Sequence, residues 1–91
     1  MQHLNSQKAE IIFQTLSKVL KEERERQNKS LRLLADEYDL QKSLLSRLEN
    51  CINEPKLISL WSVCEALHIP LSELIKRTEN QLPQNFSLIE K

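Results

Sequence analysis

From Ser6 to Gln27 the apolar residues fall at Ala9, Ile12, Phe13, Leu16, Val19 and Leu20, spaced three and four apart, which predicts a long amphipathic helix. Ser30 is a good helix N-cap, and behind it Leu31, Leu34, Ala35 and Tyr38 repeat the spacing over about two turns. Asp39 and Leu40 interrupt the pattern, and Asp tolerates the left-handed backbone of a tight turn, so a break of three or four residues is expected. Leu44, Leu45 and Leu48 mark a third short helix ending near Asn50 and Cys51, with Asn50 as its left-handed C-cap. Its outward face carries Lys42, Ser43, Ser46 and Arg47 and no acid before Glu49. After a loop punctuated by Pro55, Leu57, Leu60, Trp61, Cys64 and Leu67 predict a fourth helix. Pro70 fits the first turn of a fifth, with Leu71, Leu74 and Ile75 inward. Periodicity fades after Glu79, Pro83 blocks continuation, and alternation in the tail is too weak to predict a strand. The fold class is therefore all-α.

Composition removes most chemistry. Glycine is absent, which excludes glycine-dependent phosphate loops, the dinucleotide fingerprint and the nucleophile elbow. The two cysteines, Cys51 and Cys64, lack zinc-binding spacing, and Cys64 falls on an apolar stripe as a core residue. The two histidines, His3 and His68, stand at a tail and beside a proline. Neither an enzyme, a cofactor, a metal nor a small-molecule substrate is expected. No apolar run is long enough to span a membrane and the N-terminus does not read as a signal peptide, so the expected location is cytoplasmic, with the nucleoid. Whole-chain charge is zero, but residues 1–32 carry +3 and the remainder −3. That asymmetry fits either a salt-bridged helix face or an anionic partner.

Two short helices joined by a tight turn, the second with an acid-free outer face, have the spacing of a helix-turn-helix unit. The run from Ser30 to Asn50, then Asn53-Glu54-Pro55, then Glu65 to Leu74, closely resembles the phage-repressor and Cro family, also called the xenobiotic-response-element family. The resemblance implies a compact five-helix, lambda-repressor-like DNA-binding domain over residues 15–79, with its helix-turn-helix at 31–49. Residues 1–14 would then be a helical extension and 80–91 a short C-terminal tail.

The resemblance also implies roles. Lys42, Ser43, Ser46 and Arg47 match the base-facing positions, and Arg47 can fork onto guanine. Ser30, Leu31, Arg32, Gln41, Asn50 and Asn53 match phosphate-contacting positions. Arg24 and Glu49 match a partly buried ion pair between helices one and three. Glycine is usual in the family where Asp39, Cys51 and His68 stand, a Ser or Thr cap where Lys56 stands, and often a base where Ile52 stands. Those departures imply modest nonspecific DNA affinity.

The partner this implies is double-stranded DNA, bound as a dimer on a two-fold symmetric operator by a transcriptional regulator, more readily a repressor than an activator. The extended first helix and the tail supply surplus apolar residues, so Ile12, Phe13, Leu82, Phe86, Leu88 and Ile89 are candidates for the homodimer interface; the alternative is a tail folded over its own first helix. A rival reading keeps the scaffold as a protein-interaction module, antitoxin-like or an anti-regulator, with a protein partner. Modification of Cys51 near the DNA-side loop is a possible redox control.

Overall fold

The computed structural model describes residues 3–4, 6–50 and 54–90. Five helices follow in order: α1 (Ser6–Arg26), α2 (Leu31–Tyr38), α3 (Lys42–Glu49), α4 (Leu57–Ala66) and α5 (Leu71–Gln81). At 1.5 Å per residue, the 21 residues of α1 reach roughly 31 Å, long enough to back both α3 and α5. Leu16, Val19 and Leu20 of α1 meet Leu34, Leu45, Leu48, Leu60, Val63, Leu67 and Leu74 in one core. No single helix among the described residues is long and apolar enough to cross a membrane.

Helix ends follow local chemistry. Ser30 caps α2 by accepting the Leu33 N–H at 3.0 Å. Asp39 closes the same helix with φ 53 and ψ 39, in the left-handed region, and the Leu40 N–H donates to the Ala35 carbonyl at 3.1 Å. Asn28 and His68 are also left-handed, with φ 57 and 58, so three turns are made without glycine.

Several expectations need correction. Asn50 is not a left-handed cap: its φ is −102, and it ends α3 by turning its side-chain amide back onto the Ser46 carbonyl at 2.9 Å. Pro70 is the N-cap of α5 rather than a first-turn residue, and α5 runs two residues past Glu79. Leu57 and Trp61, placed on the apolar stripe of the fourth helix, and Ile75, expected inward, are exposed. Although alternation is weak at the chain ends, two two-residue strands, β1 (His3–Leu4) and β2 (Ile89–Glu90), pair antiparallel with Leu4 opposite Ile89. A pairing that short leaves no periodic signal, because it rests on the meeting of the two ends.

Candidate nucleic-acid interface

α2 and α3 are separated by Asp39, Leu40 and Gln41, and the left-handed Asp39 makes the bend. Helical geometry then sorts α3 into two faces. Leu45 and Leu48 are buried in the core and Leu44 leans on it, while Ser43, Arg47 and Asn50 are exposed and Ser46 is half-buried. The outer residues stand at i, i+3, i+4 and i+7, a single stripe. Lys42 begins the helix, but its side chain lies outside what the structure describes, as do Asn53, Ile52 and Cys51 altogether. Gln41 is exposed at the N-cap and uses no side-chain cap of its own.

Arg47 has no ion-pair partner among the described residues. It borders a groove of about 190 Å³ that it shares with Leu44 and, across the loop, Glu54, Pro55, Lys56 and Ser59. Ser46 Oγ accepts from the Asn50 amide at 3.2 Å, so these two outer residues hold each other. At the start of α2, Arg32 is exposed, whereas Leu31 leans on the core. What Leu31 offers outward is therefore its first-turn backbone N–H.

The inner edge of α3 is fixed by polar contacts from α1. The Ser17 hydroxyl donates to the Leu48 carbonyl. About two turns further along α1, Arg24 Nε donates to Glu49 Oε2 at 2.6 Å and Nη2 to Oε1 at 2.9 Å. Arg24 Nη1 donates to the Lys29 carbonyl at 2.7 Å, tying the α1–α2 loop into the same knot. The two side chains are only 13% and 12% exposed. The Glu49 carboxylate raises the Arg24 pKa further above its ordinary value against the opposing effect of burial. With its C-terminal half held this way, α3 presents only its outer stripe.

Sequence reasoning missed Glu23, a carboxylate at 1% exposure. It accepts from Arg26, from Gln27 Nε2 at 2.7 Å and from Arg77 Nη1 at 2.5 Å. Gln27 also donates to the Leu67 carbonyl at 2.7 Å, and Arg77 pairs with Glu73 at 3.1 Å, so the cluster joins α1 to the end of α4 and to α5. Burial pushes the Glu23 pKa up, but the hydrogen bonds from Arg26, Gln27 and Arg77 outweigh it and hold the value at about 2. The spacing did contain a signal, since Glu23 follows Leu16 by seven residues and Leu20 by three.

Beyond the helix-turn-helix, Tyr38 Oη and His68 Nε2 lie 2.8 Å apart, with Lys29 Nζ 5.6 Å from the Tyr38 ring centre. The Cys64 thiol is buried and burial pushes its pKa up to about 11. The tail lies along its own chain: Ile12 shares a groove of about 400 Å³ with Leu82, Phe86 and Leu88. Lys8 Nζ stands 6.0 Å from the Phe86 ring centre, Phe13 is half-buried, and Ile89 is exposed in β2.

This arrangement has counterparts. The helix-turn-helix family profile HTH_3 matches residues 20–74, more than half of the chain. A structure of the clp gene regulator ClgR from C. glutamicum is similar with a TM-score of 0.70 at 24% identity, over 81% of this chain and 96% of that one. A second ClgR structure, from Corynebacterium glutamicum, gives 0.67 at 26% identity over 76% and 73%. An HTH_3 family transcriptional regulator from Vibrio cholerae gives 0.68 at 21% identity, covering 87% of this chain and 45% of that one. No curated protein sequence matches.

Proposed function

Since this chain belongs to the HTH_3 helix-turn-helix family, we propose that it is a DNA-binding transcriptional regulator, a repressor, that reads the major groove with α3 as a homodimer on a two-fold symmetric operator. The supporting observation is the division of labour on α3: the inner edge clamped by Ser17 and Arg24, the outer stripe of Ser43, Ser46 and Arg47 free of acidic groups. Arg47 is the strongest base reader, because its guanidinium is exposed, has no ion-pair partner among the described residues and can fork onto guanine O6 and N7. Ser43 stands one turn before it, and Lys42 opens the helix as the remaining base-facing position.

Ser30, Leu31 and Arg32 at the N-terminus of α2, with Gln41 and Asn50 on either side of α3 and Asn53 in the following loop, would hold the phosphates on either side of the reading helix. The N-terminal backbone N–H groups of α2 supply a sequence-independent anion grip, and Arg32 adds charge. Repression needs nothing more than occupancy of the operator. The family is not normally enzymatic, and the proposal assigns no catalytic step.

Amide NMR titration of the full chain with a mixed-sequence DNA duplex at low salt tests the face. Shifts concentrated at Ser30–Arg32 and Gln41–Asn50 are expected. Shifts confined to α4 and α5, or none, would overturn the assignment and favour the protein-interaction reading.

A further inference from the structure

α4 is apolar around most of its circumference, and the core takes up only Leu60, Val63, Cys64 and Ala66. Left outside are Leu57 at 58% exposure, Ile58 at 72% and Trp61 at 50%. They stand at i, i+1 and i+4 and so share one face. Trp61 continues it into a groove of about 730 Å³ toward α5, where Ile75 is exposed as well. Nothing among the described residues covers this face, whereas the tail covers part of the apolar surface of α1.

The two ends of the face are opposite in charge character. At the N-terminal end Lys56 is the N-cap and makes no side-chain cap bond, so the first-turn N–H groups point outward beside a cation. At the other end Glu65 is exposed on the same face, without an ion-pair partner among the described residues and next to the negative end of its own helix. Leu57 and Glu65 lie four residues either side of Trp61.

We propose that this face is where a second copy of the chain docks, α4 antiparallel to α4 about a two-fold axis at Trp61. That symmetry sets Glu65 of one copy over Lys56, Leu57 and the uncapped first turn of the other, and the reverse contact forms at the same time. A carboxylate is favoured at a helix N-terminus and beside an ammonium, and disfavoured at a C-terminus, so pairing improves the setting of both Glu65 side chains. The apolar residues between become the buried centre, with the two Trp61 rings flanking the axis. An interface that complements itself in this way is the signature of a second identical copy. The proposal deepens the dimer invoked for operator binding and rests on that reading for its purpose, but the docking itself is tested without DNA.

The chain has a single Trp, so Trp61 reports on its own interface. Sedimentation equilibrium and Trp emission of the full chain are measured from about 1 to about 300 µM. The expected result is a monomer-to-dimer shift in mass that coincides with a blue shift of emission. Ile58→Asp, with far-ultraviolet circular dichroism confirming that the helices persist, is expected to leave the chain monomeric throughout. Glu65→Lys is expected to weaken the dimer about tenfold at low salt and less at high salt. The proposal is overturned by a monomer at the highest concentration with unchanging emission. It is also overturned by a dimer that survives both Ile58→Asp and Trp61→Glu, or one lost on Phe86→Ser alone, which would place the interface at the tail. A monomer would leave the DNA-reading role of α3 standing, and a failure to bind DNA would leave the dimer standing.

Discussion

Arg24 in α1 grips Glu49, the last residue of α3, through two hydrogen bonds of 2.6 and 2.9 Å and gives its third nitrogen to the Lys29 carbonyl. The helix that faces outward with Ser43 and Arg47 is thereby anchored from behind at its C-terminal end. Fully buried pairs cost about 3–5 kcal/mol when one partner is removed, because the other charge is stranded. With both side chains about one-eighth exposed, Glu49→Ala should cost about 3 kcal/mol in urea unfolding, and Glu49→Gln less, since an amide oxygen still accepts. A loss below about 0.5 kcal/mol would show that the pair behaves as a solvated surface bridge.

Glu23 makes folding sensitive to acid. Its folded pKa of about 2 lies below the ordinary 4.5, so its contribution is fully present above the ordinary value and is lost as pH falls from about 4.5 toward 2. The difference corresponds to about 3 kcal/mol at neutral pH. Glu23→Gln should lose about that much at pH 7 and flatten the stability profile below pH 4.5; urea midpoints measured across that window, with the same acid slope in the variant, would contradict the assignment.

Two of the three left-handed turns, at Asp39 and His68, hold residues that take up that backbone less readily than glycine does. Asp39, at φ 53, makes no side-chain hydrogen bond or ion pair among the described residues, so Asp39→Gly should stabilise the fold by about 0.5–1 kcal/mol in thermal unfolding. His68→Gly should gain less or nothing, because it forfeits the 2.8 Å contact with Tyr38. Equal gains at both sites would show that the His68–Tyr38 contact contributes no stability.

The order of helices, the Ser30 cap and the bend at Asp39 were legible in the sequence because each depends on a few neighbouring residues. The pairing of Arg24 with Glu49 was legible only through family resemblance, since 25 residues separate the two. Glu23 escaped because a charged residue on an apolar stripe looks like an error in the pattern until Arg77, 54 residues away, closes its cluster. Trp61 was misassigned because α4 is apolar on nearly every side, so spacing alone does not choose which side meets the core. On α3 the faces separated cleanly, since its three leucines lie together and its polar residues opposite.

The two arginines proposed to meet DNA should behave differently. Arg47→Ala should cost about 1–3 kcal/mol against a preferred sequence and relax discrimination at one base position. Arg32→Ala should weaken binding evenly across sequences and lower the salt slope by about 1. Fluorescence anisotropy on matched and mismatched duplexes at several salt concentrations separates them, and identical behaviour of the two variants would remove the distinction between reader and phosphate contact.

The central claim is that α3 reads sequence, and selection of the pure full chain on a randomised duplex pool over several rounds tests it most directly, alongside the Lys42→Ala, Arg47→Ala double variant. The account predicts enrichment of a two-fold symmetric motif, with half-sites about one helical turn or a multiple apart, that the double variant does not enrich. A pool that stays random, with weak binding that salt abolishes equally in both proteins, would contradict it.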